Sequence, residues 1–340
     1  MQTNLKNLFS ILVITYFFLI YIIFRKNTKI GHQSLIRTYI LTNGFSNIFF
    51  SKIITFFYKK KKFINQKKLF YNFNLIDNDF ETKKIVNSIN KNGYFVFEKK
   101  LPKNYIDELV NFSKEIDGWF YDNEGNIIEK KFDEANFAYS TFNYNENNLL
   151  QNLLIKKISI NNDFLSISEN YFSSHPIISA INMWWSAPSH NVDSAAGQLF
   201  HFDMDRIKFL KFFVYLTDVD ISSGPHCYIE GTHRPKSKKN FLKKGYVRIP
   251  DNEIKMNYPS EIIKEIKGEA GTIIVGDTSC FHKGLPPINS KRLILEFEYS
   301  NSLFGSETTK ISSSNKNLLR DDLIYKSLIK QNSKILTRYK

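Results

Sequence analysis

From Ile177 to Ser300 the chain is cut into short apolar stretches by turns rich in glycine and proline, and that punctuation limits the folds open to it. Ile177 to Trp185, Phe209 to Val219, His226 to Ile229, the glycine-bounded Gly271 to Gly276, and Arg292 to Ser300 each read as strands. Ser222-Ser-Gly-Pro225 and Gly231-Thr-His233 read as turns between them. The last strand alternates Leu293, Leu295, Phe297 and Tyr299 against Ile294, Glu296 and Glu298, the period of a sheet with two unlike faces. The preceding part is different in kind. Glu81 to Asn92, Lys103 to Ile116 and Leu153 to Phe172 have helical spacing, with a short strand at Tyr94 to Phe97. Asp117 to Asn147 is polar and reads as an elaborated loop, and Phe241 to Lys267 as a long insertion. Helices followed by many short strands predict an α+β chain whose core is a double-sheet jelly roll with flanking helices.

At 340 residues, with 42% hydrophobic residues and 31 phenylalanines, the chain can bury one large core. Its net charge of +14 is unevenly placed. No Asp or Glu occurs before Asp77, whereas Lys6, Arg25, Lys26, Lys29, Arg37, Lys52, Lys59 to Lys62, Lys67 and Lys68 all precede it. A basic leader on a nearly neutral body points to an anionic membrane surface and away from nucleic acid. Cys227 and Cys280 are far apart in sequence and read as small buried hydrophobes, so nothing requires an oxidising compartment.

The leader covers residues 1–70. Within it Leu8 to Phe24 is apolar apart from Ser10 and Thr15, and at ~1.5 Å per residue it reaches roughly 26 Å, near the lower limit for a bilayer. It is too long for a signal-peptide core and lacks a small-residue cleavage site, so it predicts a single N-terminal transmembrane anchor, with a buried core helix as the alternative that its continuous apolarity and terminal position disfavour. The cations that follow it place the body on the cytoplasmic side. Phe45 to Tyr58, with Lys59 to Lys62 behind it, reads either as an interfacial segment (45–62) on anionic lipid or as a helix packed on the body. The stretch 306–340 is a basic tail.

Directly before the apolar run from Phe209 to Leu216 stands Gln198 to Arg206, QLFHFDMDR. On an extended chain His201 and Asp203, two residues apart, project from one face toward a common spot. That pattern supplies two of the three ligands of a facial metal triad, although an isolated pair of this kind is more often an ordinary sheet edge. A second stretch, GTIIVGDTSCFHKGLPPINSKR, carries His282 and, ten positions on, Arg292. A strand bearing a ligand histidine, returned by a strand bearing arginine, can set a guanidinium just beyond the metal, where its planar fork grips a carboxylate.

With these motifs in this order, the chain resembles the phytanoyl-CoA dioxygenase family of iron(II)- and 2-oxoglutarate-dependent oxygenases. The segments that carry the resemblance are QLFHFDMD, KFFVYLTDVDISSGPHCYIEGTHR and GTIIVGDTSCFHKGLPPINSKRLILEF, strongest over about residues 178–300. The resemblance implies a double-stranded β-helix, cupin-like, in a catalytic domain over residues 71–305. It implies His201, Asp203 and His282 as iron ligands and catalytic residues, Arg292 as the partner of 2-oxoglutarate, and O2 as co-reactant. Gly224-Pro225 and Gly231-Thr-His233 match the family's turn signature, with Thr232 where serine is usual. Asp203 is present where related halogenases carry a small residue, so the resemblance implies hydroxylation, or a related oxidation, of a small-molecule, lipid or carrier-linked substrate.

Further residues are weaker candidates. Lys211 could help bind the cosubstrate or simply be a solvated strand residue. Gln198, Asp205, Arg206, Trp184 and Trp185 could line the pocket, with core packing favoured for the tryptophans. His226 and His233 read as turn or core histidines, Asp277 as a loop-shaping residue, and His32, His175 and His190 as structural. A non-catalytic jelly-roll binding module at the membrane surface is the competing reading, which the complete set of His201, Asp203, His282 and Arg292 disfavours.

Overall fold

The computed structural model describes residues 2–24, 26–57, 73–135, 137, 139–188 and 196–310. His190, residues 58–62 of the expected interfacial segment and the tail beyond 310 lie outside the described residues. Three helices come first, α1 (Gln2–Phe24), α2 (Lys29–Leu41) and α3 (Phe45–Phe57). Then follow α4 (Asp79–Asn92), β1 (Tyr94–Val96), α5 (Lys103–Glu115), β2 (Asp117–Tyr121), β3 (Ile127–Lys131) and β4 (Thr141–Tyr144). Next come α6 (Glu146–Leu149), α7 (Leu153–Ser159), α8 (Asn162–Phe172), β5 (Ile177–Ser186), β6 (Phe209–Tyr215) and β7 (His226–Ile229). The chain continues through α9 (Lys239–Leu242), α10 (Asp251–Asn257), β8 (Ile263–Ile266), β9 (Ile273–Gly276), β10 (His282–Gly284) and β11 (Arg292–Ser300).

The strands form two antiparallel sheets, as a jelly-roll core requires. The larger runs β1-β9-β6-β11-β5-β4-β2-β3 and the smaller β10-β7-β8. Residue parity decides what each face of the large sheet does. Phe212 and Val214 of β6, Ile181, Met183 and Trp185 of β5, and Leu293, Leu295, Phe297 and Tyr299 of β11 enter one core with α4, α5, α7 and α8. The opposite parity, Phe213, Tyr215 and Ile294, packs with Tyr228 of the small sheet. The intervening Glu296 and Glu298 are also buried, so the polar face of β11 is an interior face.

Local signals account for the element ends. Asn78 accepts from the Glu81 amide at the start of α4, and Gly93 ends that helix at φ 96°, where a side chain would be strained. Asn161 accepts from the Asp163 and Phe164 amides to start α8, so the single helix expected over 153–172 is two. The loop expected at 117–147 instead contains β2, β3 and β4. Its polar residues line an edge hairpin whose outer strand, β3, is exposed along its length.

The transmembrane expectation for 8–24 is corrected. Among the described residues no helix is long and apolar enough to cross a membrane. α1 buries Ile14, Phe18 and Tyr21 against the protein, a face that a lipid-sheathed helix would leave free. The Phe18 ring lies 4.9 Å from that of Phe50 and 5.4 Å from that of Phe304, and the Tyr21 hydroxyl accepts from the Leu303 amide at 2.8 Å. The three leader helices share a core with Phe200, Phe202, Met204 and Ile207.

Candidate metal centre

Along residues 200–205 burial alternates strictly. Phe200, Phe202 and Met204 are buried under the leader helices, while His201, Asp203 and Asp205 are partly open on the other side. Backbone bonds on both flanks fix this parity. Phe200 exchanges hydrogen bonds with Ile249 at 3.1 and 2.8 Å, and the Asp203 amide donates to the Thr278 carbonyl at 2.8 Å. Between them His201 and His282 exchange both backbone bonds, at 3.0 and 2.8 Å, which sets the two imidazoles side by side with ring centroids 4.3 Å apart.

Each imidazole is oriented by a carbonyl two residues before it. His201 Nδ1 lies 2.9 Å from the Leu199 oxygen, and His282 Nδ1 lies 3.0 Å from the Cys280 oxygen. With Nδ1–H donating there, each Nε2 lone pair faces Asp203, at 3.7 Å for His201 and 3.5 Å for His282. Burial, then the neighbouring His282, lowers His201 to about 3, and burial likewise lowers His282. Both rings are therefore neutral donors at physiological pH. Burial alone would raise Asp203, but the Lys211 ammonium outweighs it and holds the carboxylate well below its usual range. Nδ1–carbonyl pairing of this kind fixes the tautomer of metal-binding histidines.

His282 stands on β10 opposite Tyr228 of β7, whose ring stacks on the imidazole at 5.7 Å. The turn expected at 231–233 anchors the same strand. Thr232 Oγ1 accepts from the Phe281 amide at 2.8 Å and donates to the Ile229 carbonyl at 2.7 Å. The Thr232 hydroxyl thus ties the turn to the residue leading into β10 by an accepted bond and to the end of β7 by a donated one.

Arg292 lies on the interior face of β11. Its Nη2 donates to Ser186 Oγ at 3.3 Å, while Nε and Nη1 are buried with no hydrogen-bond partner among the described residues. Burial, opposed by Tyr215, brings the guanidinium down to about 10, so it keeps its charge at neutral pH. Nη2 also faces Gly284, where an added Cβ would stand 3.0 Å from it. Gly284 is two residues beyond His282 on the same strand face, a step of ~7 Å. A buried, partly unpaired cation at that reach suits the distal carboxylate of a short dicarboxylic acid.

Lys211 is placed differently from its expected part in cosubstrate binding. Its Nζ bonds Asp203 at 2.9 Å and Asp205 at 3.2 Å, with Glu298 and Glu296 at 3.7 and 4.0 Å. It therefore orients Asp203 and serves as the shared counter-ion of an acidic nest. Of the weaker candidates, Asp205 belongs to this nest. Arg206 is buried against Ser306 and Glu298, and Trp185 stacks on Phe132 in the main core at 4.5 Å. Trp184 borders the interior face of the site, and Gln198 is buried. His226 sits 3.3 Å from Tyr215 Oη, and His233 contacts the Asn90 carbonyl. His175 lies 3.3 Å from Glu169, and Asp277 bonds Tyr171. Sequence reasoning missed Tyr228, Ser186 and Gly284, although a glycine two positions after a ligand histidine was a visible signal.

Among the described residues, His201, Asp203 and His282 form a potential metal-binding group whose ligand atoms all lie within 4.8 Å of one another. Two neutral imidazoles and one carboxylate suit iron(II), and the unpaired Arg292 nitrogens suit 2-oxoglutarate. No protein-family model matches the chain, and no curated protein matches it in sequence. Solved structures similar to it include HygX from Streptomyces hygroscopicus with nickel and 2-oxoglutarate bound, at 12% identity over 64% of this chain and 86% of that one, TM-score 0.45. They also include SnoN, a non-heme alpha-ketoglutarate-dependent epimerase from nogalamycin biosynthesis, at 10% identity, 66% and 84% coverage, TM-score 0.46. A third is EctD from S. alaskensis in its apo form, at 16% identity, 68% and 79% coverage, TM-score 0.45. Likenesses this distant assign no function.

Proposed function

We propose that the chain is an iron(II)- and 2-oxoglutarate-dependent oxygenase that hydroxylates a small-molecule, lipid or carrier-linked substrate. The carrying observation is the convergence of His201 Nε2, Asp203 and His282 Nε2 within 4.8 Å, with the unpaired Arg292 nitrogens on the same side of β10. When bound, iron with 2-oxoglutarate and O2 supplies oxidative cleavage to succinate and carbon dioxide, and with it the means to break a substrate C–H bond. His201, Asp203 and His282 would hold the metal on one face and leave three positions for the co-reactants. Arg292 would take the distal carboxylate of 2-oxoglutarate by paired N–H donors in a dry setting, where such bonds are strong. Lys211 keeps Asp203 ionised and fixed in orientation. The retained carboxylate ligand favours hydroxylation over halide transfer.

The test uses the full chain. Iron(II) and 2-oxoglutarate binding are measured by calorimetry, and succinate release is followed with cell extract as the substrate source. A product heavier by one oxygen identifies the substrate by mass spectrometry. If neither iron(II) nor 2-oxoglutarate binds, the oxygenase reading is wrong.

A further inference from the structure

The leader helices turn a broad apolar surface outward. On α1, Phe9, Leu12, Tyr16, Leu19 and Ile23 recur every three or four residues, and each is more than half exposed, at 53–71% for the set that includes Phe24. They form one stripe, opposite the buried Ile14, Phe18 and Tyr21. On α3, Phe45, Phe49 and Phe56 repeat the spacing, with Ile48 and Phe57 exposed beside them. Ile30 and Leu41 add the two ends of α2. The helices are one layer: α1 packs on α2 and α2 on α3, and Phe18 meets Phe50 across α1 and α3. Soluble monomers rarely leave apolar patches larger than a few hundred Å2 open to water.

Charge decides what covers this surface. Lys26, Lys29, Arg37 and Lys52 are exposed on the same helices and their connections, and the sequence holds no acid before Asp77. A second copy of the chain would bring two such cation sets to one interface with no carboxylate from these helices between them. Anionic headgroups over acyl chains match both the stripe and the cations.

We propose that α1, α2 and α3 form an in-plane docking surface for an anionic lipid bilayer. The outer stripe of α1 enters the headgroup–acyl boundary while its inner face stays on the protein, so the chain lies on one leaflet and does not cross it. The layer is fastened to the segment that bears the candidate metal ligands. His32 Nε2 lies 3.0 Å from the Met204 carbonyl, and Asn47 Nδ2 donates to the Ile207 carbonyl at 2.9 Å. The inference stands apart from the oxygenase reading and would survive its failure.

Flotation of the full-length protein with vesicles tests it. Phosphatidylcholine vesicles containing about 30% phosphatidylglycerol should carry the protein upward, and phosphatidylcholine alone at least about tenfold less. Raising salt to about 0.5 M should release much of the bound fraction. The triple variant L12E/Y16E/L19E should stay at the bottom while keeping the wild-type circular dichroism spectrum. R37E/K52E, which leaves the stripe intact, should lose the preference for phosphatidylglycerol. Wild-type protein that ignores anionic vesicles overturns the proposal. So does a lipid-independent dimer, seen by sedimentation, that the triple variant dissolves. Resistance to alkaline carbonate extraction would show a spanning helix and overturn the in-plane geometry.

Discussion

Arg292 lies across Gly284: a Cβ built on that glycine would stand 3.0 Å from Nη2. The guanidinium occupies the space that the missing side chain leaves, two residues along the strand from His282. Gly284→Val should therefore push Arg292 out of place without touching the three candidate ligands. The expected result is a 2-oxoglutarate affinity lower by about tenfold, comparable to losing one charge-assisted hydrogen bond of ~1.5 kcal/mol, with iron(II) binding retained. Calorimetry with each ligand in turn separates the two effects. Equal loss of both would show a general collapse of β10.

Removal of the metal or its ligands should act on chemistry and spare the fold. His201→Ala and Asp203→Ala should each eliminate iron(II) binding and succinate release. Chelation should silence the wild-type chain, and added iron(II) should restore it. Asp203→Ala takes one of four carboxylates from around Lys211, which keeps Asp205 at 3.2 Å, so its thermal unfolding should stay close to that of His201→Ala.

Lys211 holds four carboxylates around one buried ammonium, and burial raises Glu298 to about 7 even with the lysine present. Lys211→Met should leave Asp203, Asp205 and Glu296 facing one another without a counter-ion. Breaking a buried ion pair by removing one partner costs about 3–5 kcal/mol, readable as a shift in the denaturation midpoint. A divalent metal should then stabilise the variant more than it stabilises the wild type, because it replaces the lost cation. Equal stabilisation of both would separate Lys211 from the metal centre.

Phe202 is 2% exposed beneath the leader, with its ring 5.7 Å from both Tyr39 and Phe281. Phe202→Ala should cost about 3–5 kcal/mol through the cavity it opens. It should also weaken metal binding, since its chain neighbours are His201 and Asp203. Unchanged iron(II) affinity in a folded variant would show that the two sides of the segment are independent.

The parts of the fold written in period and punctuation were readable beforehand. The strand Arg292–Ser300, the short strand His226–Ile229 and the helices ending at Asn92 and near Glu115 stand where apolar spacing and turn residues put them. The position of His201, Asp203 and His282 around one point follows from their places on extended segments. Other features depend on pairings that no local pattern encodes. The alternation marks Glu296 and Glu298 as belonging to an unlike face of β11, yet both are buried, enclosed with Asn182, Ser179, Arg206 and Lys211. Lys238, one of several lysines between Lys236 and Lys244, is 1% exposed and donates to the Thr232 and Ser279 carbonyls. Nothing in its neighbours distinguishes it from a solvated lysine. Leu8 to Phe24 was apolar enough to suggest a bilayer span, but composition does not register that Phe18 and Tyr21 find Phe304 some 280 positions away.

Between Phe200 and Asp205 the backbone serves two environments at once, odd positions facing the candidate ligand cluster and even positions the leader core. Such a segment has a reading frame of its own. Inserting or deleting a single residue there would slip every side chain to the opposite side, turning Phe202 toward the imidazoles and Asp203 into an apolar interior. Substitutions can accumulate along it one at a time; its length cannot change without undoing both sides together.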